Sequence, residues 1–314
     1  MDGLVSNSIC EFDYLLTGYI GSETFLTAIL RTLDIVQANN TNVKYICDPV
    51  LGDGGKLYVP EKLVSIYIEK ILPRAYMITP NQMEVEYLSG LKINTEVDVV
   101  RALKKLYCIG PDVIILTSAD LVDMPGKLCC YIVHRPSTTT TGTTTTTTAS
   151  STATHRSTHV LEISRVIVNK LTDNHYTGTG DVTAALLLGW IHKLSNTTTT
   201  SSNNNTIDSV SVYGMALLNS LCTIQCMLAR AQSNYKQMKL KYDTPTTTTP
   251  TTSTTNTTNT DSIMNKEKDL KRLISKSKYV ELPIIPSKRD IENPPTSSYF
   301  QINGPNSSII TWTI

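Results

Sequence analysis

Short uninterrupted apolar runs alternate along this chain with longer stretches of helical spacing. Residues 12–19 read as a buried strand ending in a turn, and residues 22–38 as the helix after it. Residues 43–48 form the next strand, which gives way to Pro49 and the loop Leu51-Gly52-Asp53-Gly54-Gly55. A helix is expected over 60–72 and a short strand over 75–78, followed by a strong helix start. There Thr79 reads as the cap, Pro80 as the first helical residue and Gln82 as the partner in a capping box, with Gly90 closing the helix. Residues 96–108 are helical and 112–116 are an apolar strand with the polar exit Thr117-Ser118-Ala119-Asp120. Residues 128–133 and 160–167 read as arms of a β-meander. Helices follow from the glycine-rich stretch at 177 to near His192 and from 207 to 230, and a charged segment at 266–278 leads to 287–291. The pattern predicts an α/β fold, a mostly parallel central sheet flanked by helices.

Composition changes this picture at three places. Residues 136–158, 195–206 and 243–261 are dominated by Thr, Ser and Asn, lack the apolar area that offsets ordering entropy, and are expected to be disordered insertions at surface turns. About 250 of the 314 residues remain, enough for one α/β domain over 1–292, with 293–314 as a C-terminal tail of no assigned pattern. The net charge of +1 supplies no basic field for nucleic acid, which favours a small-molecule partner. Cys10, Cys47, Cys108, Cys129, Cys130, Cys222 and Cys226 sit mostly in apolar segments and read as reduced core residues. No basic leader and no stretch of membrane-spanning length is expected, which predicts a cytoplasmic protein without membrane partners.

The chemistry centres on Thr177-Gly178-Thr179-Gly180-Asp181, read as a loop opening into a buried helix. Two glycines let free N–H groups and the helix dipole converge on one small volume, which suits a phosphate. Asp181 beside such a hole is either a plain first-turn acid or a base that takes a proton from a nucleophile attacking that phosphate. Asp48 and Asp53 lie where a parallel strand meets a glycine-rich loop, the ligand end of such sheets. They are either a site for a hydrated divalent ion or turn formers, the two readings weighing equally for Asp53 and the second weighing less for Asp48, which ends the strand. Asn81 and Glu84, one helical turn apart at the same rim, either face a phosphate and a metal-bound water or decorate the surface. Thr117 and Ser118 are either hydroxyls for nucleotide phosphates or a cation, or a simple turn.

Taken in chain order, a set of short motifs resembles the pyridoxal kinases of the ribokinase-like superfamily. They are Leu16-Thr17-Gly18-Tyr19, Cys47-Asp48-Pro49-Val50-Leu51-Gly52-Asp53, Tyr58-Val59-Pro60, Ile78-Thr79-Pro80-Asn81-Gln82 with Glu84, Thr117-Ser118, Gly178-Thr179-Gly180-Asp181 and Ser287-Lys288-Arg289-Asp290-Ile291. The resemblance implies ATP-dependent phosphorylation of the 5′-hydroxymethyl group of pyridoxal, pyridoxine and pyridoxamine. It implies Asp181 as the base, Gly178, Thr179 and Gly180 as the anion hole, and Tyr19 on the substrate side. Asp48, Asn81, Thr117, Ser118, Thr179 and the segment Thr172-Asp173-Asn174 fall at the ATP positions. Glu84 matches a position at the divalent metal, Mg²⁺ in such kinases, and Asp53, Thr79 and Thr117 a monovalent-cation site for K⁺ or Na⁺. Family members are commonly homodimers. The family's opening strand and glycine turn, with the serine and threonine that would contact the vitamin ring, have no counterpart ahead of the TGY strand. Two rival readings follow: a truncated, inactive homologue that binds ATP or a partner, and another ribokinase-like kinase acting on a sugar or pyrimidine.

Overall fold

The computed structural model describes residues 1–134, 161–170, 175–198, 209–243, 279–296 and 309–313. The tract at 136–158, most of 195–206, all but Asp243 of 243–261, the charged segment 266–278 and Thr172, Asp173 and Asn174 lie outside them. In chain order come α1 (Asp2–Ser6), β1 (Tyr14–Thr17), α2 (Glu23–Asn39), β2 (Lys44–Cys47), β3 (Gly52–Asp53), β4 (Lys56–Leu57) and α3 (Lys62–Ile66). Then follow β5 (Met77–Ile78), α4 (Gln82–Ser89), α5 (Glu96–Ile109), β6 (Val113–Ala119), β7 (Lys127–His134), β8 (Glu162–Asn169) and β9 (His175–Thr177). The chain continues through α6 (Thr179–Thr198), α7 (Ser209–Asp243), β10 (Tyr279–Glu281), α8 (Lys288–Glu292) and β11 (Ile309–Thr313).

Seven strands form one sheet in the order β1-β2-β5-β6-β7-β8-β11. The pairs from β1 through β6 are parallel, whereas β7 and β11 run against their neighbours, so five of the seven strands point the same way. The alternation of side chains across each strand explains why these runs are apolar throughout. Tyr45 and Cys47, Ile114 and Leu116, and Cys129, Tyr131 and Val133 face a core closed by α2, α3, α4 and α5. Ile46, Met77, Val113, Ile115, Cys130 and Ile132 face the opposite core, closed by α6 and α7. A strand covered on both faces has no polar side, hence no period-two pattern.

Local chemistry fixes the helix ends. Ser22 accepts from Phe25 N–H at 3.2 Å to start α2, and Thr95 with Asp98 forms a capping box at α5. The helix expected over 60–72 is instead α3 followed by a wide π turn at Tyr67–Ile71 and a tight 3₁₀ turn at Leu72–Arg74 that contains Pro73. α6 runs to Thr198, past His192, and takes up the first four residues of the 195–206 tract. α7 begins at Ser209 and ends at Asp243, well beyond Arg230. By length and composition its span Val212–Gln237 could cross a membrane, contrary to the expectation from sequence. Its Ala216, Leu217, Leu218, Leu221 and Cys222 pack on the sheet, which gives that apolar face a core to cover. The expected tail also contributes to the domain: β11 pairs antiparallel with β8 as an edge strand, Ile309 opposite Val166 and Thr313 opposite Glu162.

Candidate active site

Four strand ends build the floor of the site. Asp48 N–H donates to Thr17 O at 2.8 Å, Thr79 N–H to Cys47 O at 3.1 Å and Thr117 N–H to Pro80 O at 2.9 Å, so β1, β2, β5 and β6 deliver their exits side by side. This is the carboxyl end of the parallel strands, where open α/β sheets bind ligands. α6 begins above it. Gly178 takes φ +83°, a left-handed conformation that favours glycine, and Val182 N–H to Gly178 O at 3.1 Å is the first intrahelical bond. The amides of Thr179, Gly180 and Asp181 precede that bond and have no partner within the helix.

The two acids singled out from sequence meet here. A Cβ placed on Gly180 would sit 3.7 Å from Asp48 Oδ2, and one on Gly18 would sit 3.4 Å from Asp181 Oδ1. Asp48 is 5% exposed; its Oδ1 accepts from the Thr79 hydroxyl at 3.0 Å, while Oδ2 is buried without a hydrogen-bond partner among the described residues. The Asp48 carboxyl is raised to about 6: burial pushes it up most, the Thr79 hydroxyl pulls it down, and the Asp181 charge adds to the rise. Asp181 itself is exposed at the helix start. A divalent cation fits this pair, because it would supply the buried Asp48 oxygen with the partner that the described residues do not. No three His, Cys, Asp or Glu side chains among the described residues gather to hold a metal by themselves. Such an ion would be held by Asp48 together with phosphate oxygens of a substrate.

Asn81 and Glu84 have a different local role from the expected one. The cap of α4 is Asn81, not Thr79, and Glu84, not Gln82, completes the capping box. Asn81 Oδ1 accepts from Glu84 N–H at 2.9 Å, and Glu84 Oε2 accepts from Asn81 N–H at 2.8 Å. Glu84 Oε1 accepts from Leu51 N–H at 3.0 Å, and Asn81 donates its side-chain amide to Gly52 O at 2.8 Å. The pair thereby ties the loop after β2 to the start of α4. Thr79, displaced from capping, donates to Asp48, and Gln82 instead bridges Ile93 O and Asp120 N–H.

Asp53, expected in a loop, lies on a hairpin: β3 and β4 pair around Gly54 at φ +57° and Gly55 at φ +81°, the two left-handed positions of a tight hairpin turn. Its Oδ1 accepts from Gly54 N–H at 2.7 Å. Gly52 is the hairpin's close approach, since a Cβ there would lie 2.4 Å from Lys56 O and 2.9 Å from Leu57 Cα. Gly52→Ala is therefore expected to displace the hairpin and cost about 1–3 kcal/mol, checked by thermal denaturation; an unshifted midpoint would overturn the assignment.

Beside the acid pair, a cavity of about 540 Å³ is lined by Asp53, Asn81 and Ser118, with Asp120, Lys92 and Lys170 as charged neighbours. Asp48, Asp181 and the Gly178–Gly180 loop are not among its lining residues, whereas Asn81 lines it and is hydrogen-bonded to the loop after β2 at Gly52 O. A bulge in β6, between the Leu116–Tyr131 and Ala119–Cys129 pairs, sets Thr117 and Ser118 out of regular register. The Thr117 hydroxyl donates to Pro80 O at 3.2 Å. Tyr19 is 54% exposed, and its hydroxyl folds over Gly21. Lys170 pairs with Asp120 and Lys92 with Glu86 at 2.7 Å; of the four, only Asp120 is expected from sequence, in the polar exit of its strand, and none as a site residue. Asp120 and Lys170 follow β6 and β8, strands that exit at the same sheet end, so the strand-exit rule that found Asp48 also points to them.

Residues 9–200 match the sequence model of the phosphomethylpyrimidine kinase family. A pyridoxal kinase of Arabidopsis thaliana is 34% identical over 239 residues, which are 76% of this chain and 64% of that protein. One of Sus scrofa is 35% identical over 239 residues, 75% of this chain and 67% of that protein. The chain thus spans 64% of the length of the first of these relatives. Among solved structures, the pyridoxal kinase from Leishmania donovani in complex with ADP and pyridoxamine superposes with a TM-score of 0.57 at 23% identity, covering 73% of this chain and 68% of that one. At that identity the likeness speaks for the fold.

Proposed function

Because the chain belongs to the pyridoxal kinases, within the phosphomethylpyrimidine kinase family and the ribokinase-like superfamily, we propose that it transfers the γ-phosphoryl group of ATP to the 5′-hydroxymethyl group of pyridoxal, pyridoxine or pyridoxamine. The product from pyridoxal is pyridoxal 5′-phosphate, a step of vitamin B6 salvage. The observation that carries the reading is the meeting of Asp48 and Asp181 at the glycine-opened start of α6. An acid pair beside amides that have no partner within the helix suits a hydroxyl that must lose a proton while attacking a phosphate.

In this mechanism the acceptor oxygen attacks the γ-phosphorus in line, its proton passes to the Asp181 carboxylate, the bridging bond to the β-phosphate breaks, and ADP leaves. The amides of Thr179, Gly180 and Asp181 and the dipole of α6 face the charge that builds on the equatorial oxygens. Asp48 would hold a divalent cation, Mg²⁺ in the proposal; when bound, such an ion neutralises charge between the phosphates. Glu84 supports the metal side indirectly by fixing Leu51 and Asn81, since both of its oxygens already accept backbone amides. Asn81 and Ser118 line the cavity that would take the nucleotide, with Lys92 and Lys170 as cations toward its phosphates. As the resemblance implies, Asp53, Thr79 and Thr117 would hold a monovalent cation, Thr172, Asp173 and Asn174 would contact the nucleotide, and Tyr19 would stand on the vitamin side. A cytoplasmic homodimer belongs to the same reading, and sedimentation of the purified chain tests the dimer.

The deciding experiment is ATP-dependent formation of pyridoxal 5′-phosphate by the purified chain, followed by absorbance. Turnover that prefers pyridoxal over sugars and hydroxymethylpyrimidine is the expected result. ATP binding without turnover of any of these acceptors would overturn the kinase reading in favour of a nucleotide-binding homologue.

A further inference from the structure

The segment at 279–292 reaches the glycine-rich loop from two directions, although the loop is about a hundred positions earlier in the chain. In front of the loop, β10 pairs in parallel with β9, Glu281 opposite Thr177, the residue that immediately precedes Gly178. Behind it, Leu282 and Ile291 pack in one apolar cluster with Val182 and Leu186 of the first turns of α6 and with Ile224 and Met227 of α7. Residues 178–181 are therefore bracketed by two contacts made by a single stretch of chain.

That stretch is held at one place on α7. Arg230 donates to the Ser287 hydroxyl and, through Nη2, to Asp290 Oδ2 at 2.8 Å. About two turns earlier on the same helix, the buried Thr223 hydroxyl donates to Asp290 O at 3.0 Å. Ser287 is fully buried, so its hydroxyl depends on this arginine rather than on solvent. The guanidinium is a planar fork and spans a hydroxyl and a carboxylate at once, which an ammonium on a flexible stem does less well.

We infer that Arg230 is a positioning residue for the phosphate-facing loop: by pinning Ser287 and Asp290 it sets where β10 and Ile291 stand, and through them where the Gly178–Asp181 amides point. The inference deepens the kinase reading and rests on it for its catalytic consequence, but the positioning itself is readable without turnover. Removing the fork leaves α6 intact and lets its first turn wander, which weakens an interaction made in the transition state more than it weakens ground-state binding.

The test is Arg230→Met and Arg230→Lys in the full chain, read by amide hydrogen exchange and by kinetics. In Arg230→Met, exchange at 177–182 is expected to rise about tenfold or more while β6, β7 and β8 keep their protection. kcat is expected to fall about tenfold or more with the KM values for ATP and pyridoxal within about twofold, and Arg230→Lys to recover part of both effects. Unchanged exchange at 177–182, or an increase spread evenly over the sheet, would overturn the inference. Should Arg230→Met not fold, Asp290→Asn removes the ion pair and keeps the side-chain shape; the same local rise in exchange is expected, and its absence overturns the inference equally. A wild-type chain without turnover would refute the kinase reading and leave the exchange result to decide the positioning.

Discussion

Asp181→Asn is expected to lower kcat by about three orders of magnitude, the scale of losing a positioned general base, with the KM for ATP changed by less than about twofold. The substitution keeps the shape and leaves the amides of Thr179, Gly180 and residue 181 in place, so the phosphate-binding part of the site survives. Asp181 is exposed and lies against Gly18, so the fold does not depend on its charge. One secondary effect separates this account from simple damage. The charge on Asp181 is one of the influences that push the Asp48 carboxyl upward, and its removal moves the Asp48 titration down from about 6. Steady-state kinetics with pyridoxal, together with a carboxyl titration of the isotopically labelled variant, check both. Turnover within about tenfold of the wild type would remove Asp181 from the base role and leave it as a first-turn acid of α6.

The acids were legible in the sequence because each obeys a positional rule that needs no tertiary information. Asp48 ends an apolar strand, and Asp181 follows two glycines at the head of an apolar helix. The strands were legible for the same reason, being runs buried on both faces. The cap of α4 was not, because Thr79 and Asn81 are both capping residues with a proline between them, and local spacing alone does not choose. The choice is made at long range: the loop after β2 offers Leu51 N–H and Gly52 O to Glu84 and Asn81, while Asp48 takes the Thr79 hydroxyl. The β3–β4 hairpin has only two residues a strand, too short for any alternation to register. β11 escaped because its partner β8 lies far back in the sequence and the pairing needs the whole meander in place. The Arg230 contacts to Ser287 and Asp290 join residues about sixty positions apart, which no periodicity reports. What sequence reading misses here is consistently the non-local pairing that fixes loops, and what it finds is the chemistry carried at element ends.

Glu84→Ala is expected to be the most destabilising single change at this site, because both oxygens of a carboxyl that is only 3% exposed accept backbone amides from two separate segments. Its removal leaves Leu51 N–H and Asn81 N–H without their acceptor and dissolves the capping box, together worth about 3 kcal/mol or more. For a domain of this size that lowers the melting temperature by about 10 °C. The same residue gives stability a definite pH dependence in the absence of divalent ions. Burial pushes the Glu84 carboxyl from its ordinary 4.5 up to about 8, the Asn81 amide pulls it down, and the nearby Asp48 charge pushes it up. The folded chain therefore holds this proton more tightly than the unfolded chain does between those values. Its contribution to stability is full below about 4.5 and is lost as the pH rises through about 8. Asp48, raised from 3.8 to about 6, acts in the same sense over the lower part of that window. Denaturant midpoints of the wild type should fall from pH 5 to pH 8, whereas those of Glu84→Ala start lower and fall less steeply. Parallel profiles would mean that Glu84 is ionised throughout the window, and that the amides of Leu51 and Asn81, rather than its burial, set its charge.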